Sequence, residues 1–417
     1  MTERTVLIIK SKGGVHVKKV ISVLIVALLL LVSTNTVMAA NDTLDIEKVA
    51  IQSIKNSQGV QSINRQVTLA QKNYADITAM MNGLRGSLPY SDLPYSNSYQ
   101  KVEAIILKPL EFKNMLTQAT NGQLVATNAV RLSAYKGYIT LLKANSTMNI
   151  QQGLMNALDA DYKKAQLQQT LGMISQSELR LSEIADLKSQ SKYNSAQKGF
   201  NSASMSVNNM MGEDLGRQYS TLQDYNITPA AQIKSLKDYV NLALANRADI
   251  TNAQSTLDTK KKEYDYGKAE VPTDFQFYIQ QQQYAIDSAQ NDLDLAKINV
   301  QQDITTLYTV LGRAMKNMEA LKDLDDQALL NYQAAEIQYK NSQISILEFD
   351  DAKVAKAQAD VTYKNAGLEA WLTQTTMNSA CDIGYQPSSN ASLSGSSNGQ
   401  SKSKNNPNPT NRKNRDN

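Results

Sequence analysis

Three carboxylates, Glu348, Asp350 and Asp351, follow closely on Ser345. On a helix such a cluster is most simply a solvent-facing stretch. Other chemistry is scarce. The one histidine, His16, lies in the N-terminal leader, and the one cysteine, Cys381, leaves nothing to pair with in an intrachain disulfide. No Gly-x-Ser-x-Gly elbow, phosphate-cradling Gly-rich loop or metal-spaced cluster occurs. No carboxylate pair reads as an acid–base couple. Asp360, Glu369 and most other carboxylates alternate with lysines and read as surface pairs worth roughly a few tenths of a kcal/mol each. The formal charge of +4 is dispersed and gives no basic stripe for nucleic acid. The sequence therefore reads as that of a non-enzyme with no cofactor and no metal.

The elements that carry these residues are long helices. The chain has 18 Gly, 8 Pro, 5 Phe and 1 Trp, while Ala, Gln, Leu, Lys, Asp and Asn recur throughout, which suits thin helices that pack along one stripe. Landmarks occur twice. The helical pattern Ile46-x-x-Val49-Ala50-x-x-x-Ile54-x-Asn56 is matched by Leu236-x-x-Tyr239-Val240-x-Leu242-Ala243-Leu244-x-Asn246. Farther on, Gly172-Met173-Ile174-Ser175-x-x-Glu178 is matched by Ser342-Gln343-Ile344-Ser345-x-x-Glu348. The first pair is offset by 190 residues and the second by 170, which places an insertion in the first copy.

The repeat predicts an all-α chain of two long antiparallel coiled-coil hairpins. In the first copy, a helix capped at Thr43 runs to about Ile77. Asn82–Pro109 reads as a loop because of its Gly and Pro residues. A long helix then spans about Glu111–Leu171, and a second, capped by Ser175, reaches about Met211 with the seam Tyr193, Ala196, Phe200, Ala203, Val207 and Met210. In the second copy Gly267 and Pro272 break the pattern. A helix from about Thr273 to Asn341 follows, with the seam Ile286, Ala289, Leu293, Ala296, Val300, Ile304 and Leu307. The last helix, capped by Ser345, shows an alanine-rich face, Ala352, Ala355, Ala359, Tyr363, Ala366 and Ala370. Trp371 and the 20 tyrosines read as packing at helix contacts, the tyrosine hydroxyls reaching water.

Residues 1–39 read as a secretory signal: Lys18-Lys19, an apolar run Val20–Val32, and small residues around Met38-Ala39 for cleavage. Lys12–Val15 can be encoded as a ribosome-binding sequence with Val17 as the start, which would leave residues 1–16 untranslated. The resulting division is repeat one at 40–211, a linker at 212–234, repeat two at 235–382 and a disordered Ser/Asn/Lys-rich tail at 383–417.

The ordered, duplicated landmarks resemble the TolC family of outer-membrane efflux proteins over about residues 43–380. The resemblance implies a protomer of a trimeric α-helical barrel that hangs from a membrane β-barrel. Such a duct docks at its tips on a periplasmic adaptor of the membrane-fusion type and an inner-membrane exporter, and passes substrates without chemistry. The positions matching the family's docking tips are Gly172, Ile174 and Ser175, and Ser342, Ile344 and Ser345, with Ser342 standing where a glycine is usual. The positions matching the family's acidic constriction are Glu348 and Asp351. Stacked threefold, they would repel one another, bind cations and raise their own pKa values. One departure is marked. A membrane strand needs about 9–11 alternating residues, and neither Gly267–Asp274 nor Asn82–Pro109 offers them, so little or no β-barrel is expected. The functional expectation is a TolC-like component of an efflux or secretion system, exported to the cell envelope. It would sit at the outer membrane by family analogy, or outside a single membrane, against the cell wall, if barrel-less. The alternative is a secreted structural coiled-coil protein that binds the cell wall or a helical partner.

Overall fold

The computed structural model describes residues 43–87, 98–224, 227–270 and 275–385. The signal segment and all but the first few residues of the tail lie outside the described residues. Contacts divide the chain into two units. Of the described residues, one holds Thr43 and Tyr219–Thr221, and the other holds all the described helices.

Strand β1 (Thr43–Leu44) pairs with β2 (Thr221–Leu222), and among the described residues these are the only strands, with no closed barrel. The first copy contains α1 (Ile46–Asn56), α2 (Gln58–Ser87), α3 (Ser98–Val102), a π-helical turn (Glu103–Leu107), α4 (Lys108–Thr170) and α5 (Gln176–Met211). The second contains α6 (Leu236–Asn246), α7 (Ala248–Glu270), α8 (Phe275–Lys340) and α9 (Ile346–Cys381).

Helix α1 is capped by Asp45, whose carboxylate accepts from Lys48 N at 2.8 Å, and not by Thr43, which is in β1. The single helix expected to reach Ile77 is two. Ser57 turns extended (φ −67°, ψ 113°) and its hydroxyl accepts from Val60 N at 3.3 Å, opening α2. Arg247 (φ −61°, ψ 135°) makes the same break between α6 and α7. The repeated asparagine before each break now has a reason. Asn56 Nδ2 donates to Met210 O and Asn246 Nδ2 to Cys381 O, each at 3.3 Å. Both carbonyls belong to the last turn of a helix, where no intrahelical donor remains. Each asparagine therefore ties the head of its repeat to the end of its last helix. Gly212 follows α5 at φ 72°, and a Cβ there would lie 2.6 Å from Asn56 Oδ1.

The expected loop at Asn82–Pro109 is largely helical. Helix α2 continues to Ser87, and α3, the π turn and α4 form one run from Ser98. Pro109 falls in the first turn of α4, directly after the π turn in which Lys108 N bonds Glu103 O. That wider turn absorbs the clash a proline ring makes with the carbonyl four residues back. Ile105 is buried beside Met81 and Ile77 of α2. Gly267 does not break α7 either. Its missing side chain admits the Tyr278 ring, whose hydroxyl donates to Glu263 O at 3.2 Å and would lie 1.5 Å from a Cβ.

Helices α4 and α5 form one antiparallel hairpin, and α8 and α9 the other. Helix α2 lies along α4, α7 along α8, and α9 packs on α4 to join the hairpins. The seams point inward: Ala203 and Val207 on α5, and Ala289, Leu293, Val300 and Ile304 on α8, are buried. On α9, Ala366 and Ala370 are buried but Ala355 is exposed, so the alanine face closes only over the half near Cys381. Trp371 of α9 meets Tyr135 of α4 edge-on at 5.8 Å. Tyr138 departs from the expected water-facing role. It is fully buried, and its hydroxyl bridges Leu44 O (2.6 Å) and Gln223 O (2.9 Å), which ties the chain before α1 to the linker between repeats.

The hairpins turn in the same way. Gly172 at φ 68° follows α4, with Met173 N on Gln168 O at 2.8 Å and Gly172 N on Gln169 O at 3.0 Å. Ser342 at φ 57° follows α8, with Gln343 N on Gln338 O at 2.8 Å and Ser342 N on Tyr339 O at 3.0 Å. Both are left-handed stops that satisfy the last carbonyls of a helix. Ser175 and Ser345 then open α5 and α9, each in a reciprocal capping box with Glu178 or Glu348.

Two outcomes are expected in urea unfolding. Tyr138→Phe removes the hydroxyl from Gln223 O and leaves Leu44 O with Gln223 N alone, and should lower stability by about 1 kcal/mol. Gly172→Ala should lower it by about 1 kcal/mol, whereas Ser342→Gly, which relieves the same left-handed conformation, should not lower it and should gain up to about 1 kcal/mol.

Candidate functional site at the hairpin tips

The residues singled out in the sequence sit at the two turns. Gly172, Ser175, Ser342 and Ser345 are exposed, while Ile174 and Ile344 are half-buried in identical positions. The two tips differ chemically. The first exposes Leu167, Leu171 and Met173. The second exposes Asn341 and Gln343 and keeps Lys340 bonded to Glu336 at 2.9 Å. Nearby, Lys164 of α4 donates to Tyr339 Oη of α8 at 2.8 Å, which bridges the hairpins.

Glu348 and Asp351 are both exposed. Glu348 is engaged in its capping box: its Oε2 accepts from Ser345 N at 2.8 Å and from Ser345 Oγ at 2.9 Å. Those hydrogen bonds, from the backbone first and the hydroxyl second, hold its carboxyl below the usual range, as Ser175 does for Glu178. In the single chain the shift is thus opposite to the one a ring of stacked carboxylates would impose.

The acidic residue between them is the unusual one. Asp350 is only 3% exposed. It faces α4, where Asp161 approaches within hydrogen-bonding reach, and Lys353 bonds both carboxylates, at 3.3 Å to Asp350. The Lys353 ammonium also lies 4.2 Å from the centre of the Phe349 ring. Phe349 in turn stacks on Tyr339 and Tyr332 of α8, at 4.9 and 5.9 Å. Burial, then Asp161, pushes the Asp350 carboxyl up to about 7. The sequence carries a partial signal: Asp350 and Lys353 are three apart on one helix face, and Tyr332 and Tyr339 are seven apart on another. What it lacks is any mark on Asp161, which lies 189 positions from Asp350. Farther from the tip, Asp325 of α8 and Asp360 of α9 form a second close carboxylate pair, with Lys356 on Asp360 at 2.5 Å.

At positions equivalent to Lys353 and Lys356, α5 carries Glu183 and Asp186. Glu183 bonds Arg180 at 2.6 Å. Asp186 is buried and takes a hydrogen bond from Gln190 at 2.8 Å.

At the other end of the second repeat, Arg247 was not foreseen. It bonds Asp249 and Asp303, each at 2.8 Å, and reaches Ala380 O. Cys381 is buried beside Met377, and burial pushes its thiol up to about 11, which leaves it unreactive. Among the described residues no group of three His, Cys, Asp or Glu is placed to hold a metal ion, and no helix is long and apolar enough to cross a membrane. What the described residues present at the tips is packing surface, turns and charge.

The sequence matches no protein-family model and no curated protein. Solved structures do match. The outer membrane protein VceC from Vibrio cholerae aligns over 82% of this chain and 97% of its own, with a TM-score of 0.57 at 10% identity. CusC, described in terms of transmembrane channel formation, aligns over 85% and 96%, with a TM-score of 0.57 at 14% identity. The MtrE outer membrane channel of Neisseria gonorrhoeae aligns over 85% and 95%, with a TM-score of 0.53 at 11% identity. The chain therefore has a TolC-like helical fold, shared with these outer-membrane proteins.

Proposed function

We propose that the chain is the protomer of a TolC-like exit duct in an efflux or secretion system, exported to the cell envelope and assembled as a homotrimer. The observation that carries this reading is the likeness of fold to solved outer-membrane channels over nearly their whole length. The repeats at 40–211 and 235–382 each supply one hairpin to the wall. The tips, Gly172, Ile174 and Ser175 with Ser342, Ile344 and Ser345, are the docking points for an adaptor and exporter. Glu348 and Asp351 form the acidic constriction.

The packing order supports a ring. The hairpin helices contact in the sequence α5–α4–α9–α8, with α1 against α5 and α6 and α7 against α8, so α5 and α8 are open edges beyond those shorter helices. Both edges keep apolar residues in water: Leu181, Ile184 and Leu187 on α5, and Leu324, Leu330 and Ile337 on α8. Exposed apolar stripes of this extent mark contact surfaces. Two different edges that meet head to tail generate a closed ring when the rotation closes.

Most of Asn82–Pro109, the longer of the two slots for membrane strands, is helical among the described residues, which supports a duct with little or no barrel of its own.

Light scattering of the chain without detergent should give a trimer mass. A monomer would demote the duct in favour of a secreted rod that binds the wall. Leu324→Glu with Leu330→Glu should yield a monomer of unchanged helicity. In the assembled trimer, Glu348→Gln with Asp351→Asn should weaken lanthanum binding, read by calorimetry, by about tenfold or more, since each ring loses its charge. Unchanged affinity would remove the constriction from the proposal.

A further inference from the structure

The fold joins its two repeats through α4 and α9, and the contact nearest the tips is built on charge. We propose that Asp161, Asp350 and Lys353 are a proton-operated latch between the hairpins: a proton shared by the two carboxylates holds α9 on α4, and its loss loosens them. The latch belongs to the single chain and goes beyond the duct reading, because it does not depend on how many copies assemble.

The geometry is specific. Asp350 is buried on the α4 face of α9, and Asp161 and Lys353 have side chains only 16% and 15% exposed. One ammonium therefore serves two carboxylates in a site nearly closed to water. With one proton in the site, one negative and one positive charge balance. With none, two negative charges crowd one positive charge where water cannot screen them. The groups that surround Asp350 allow no second cation to compensate. On α4, Lys164 is a turn away and engaged with the Tyr339 hydroxyl. Helix α8 presents the rings of Tyr332 and Tyr339 to Phe349. On α5, Asp186 adds negative charge, and its field reaches Lys163. Helix α6 packs at the opposite end of α9, against Met377 and Ala380.

The direction with pH follows. The Asp350 carboxyl is raised from its usual 3.8 to about 7, first by burial and then by Asp161. A raised acid gives stability that is full below the unfolded value and is lost as pH rises to the folded value. The latch therefore weakens from about pH 4 to about pH 7 and stays weak above that.

Hydrogen exchange of the full chain tests this, read as protection factors corrected for intrinsic rates. From pH 5.5 to pH 8, protection of α4 around Asp161 and of α9 around Asp350 should fall by about tenfold, part of the span that the full shift allows. Asp350→Asn should hold the high protection at both pH values. Lys353→Met should lower it already at pH 5.5. Asp323→Asn, on an exposed position of α8, should follow the unaltered chain. A flat profile in the unaltered chain overturns the latch whatever the variants do, and so does an unchanged pH dependence in Asp350→Asn.

Discussion

Helices of 63 and 66 residues are set by where they are made to stop. An uninterrupted helix has no intrinsic end, and the seam that it presents is useful only if its partner starts at the right residue. Here the end is written twice in the same way: a left-handed residue, a bonded pair of last carbonyls, and a serine–glutamate box that begins the return helix. This device sets the phase of α5 on α4 and of α9 on α8. The buried seam of Val207 and of Val300 and Ile304 follows from it, and so does the alignment of Asp350 with Asp161. Ser342 shows how strong the constraint is. A residue with a side chain is held at positive φ because the rest of the turn leaves no alternative.

The two classes of helix contact differ in chemistry. Within a hairpin the helices meet largely along small and aliphatic residues, with the Phe349, Tyr332 and Tyr339 stack added near the second tip. Between repeats much of the contact is polar. Asn114, Gln118 and Asn121 of α4 bond Thr256 and Asn252 of α7. Lys143 bonds Glu369 at 2.5 Å, and Asn128 reaches Gly384 O at 3.2 Å. Such bonds exchange readily with water and net little each. Much of the joint between the repeats is thus polar, and charge at Asp350 acts there and not along a hairpin seam.

Much of this was legible from the repeat. The hairpins, both turn sequences, the seams on α5 and α8 and the caps at Ser175 and Ser345 all rest on local rules that a sequence expresses. The errors came where a distant group overrides such a rule. Gly267 reads as a breaker but makes room for Tyr278. Pro109 reads as the end of a loop but is absorbed by a π turn. Tyr138 reads as amphipathic, yet its hydroxyl holds two carbonyls whose residues are far apart in the chain. The Asp161–Asp350 pair was invisible for the same reason, since nothing in the neighbourhood of Asp161 marks it as different from Asp159, which bonds Lys163 on the surface at 2.7 Å.

The asparagine tethers have a consequence for how such a chain could arise. Asn56 brings the start of the first repeat to the end of α5, and Asn246 does the same for the second. An element whose entry and exit already touch can be copied in tandem, because the new copy needs only a short bridge and disturbs nothing inside the old one. The same closure makes each repeat a natural candidate for circular permutation, with new ends opened at a tip and the old ends joined where the asparagine holds them together.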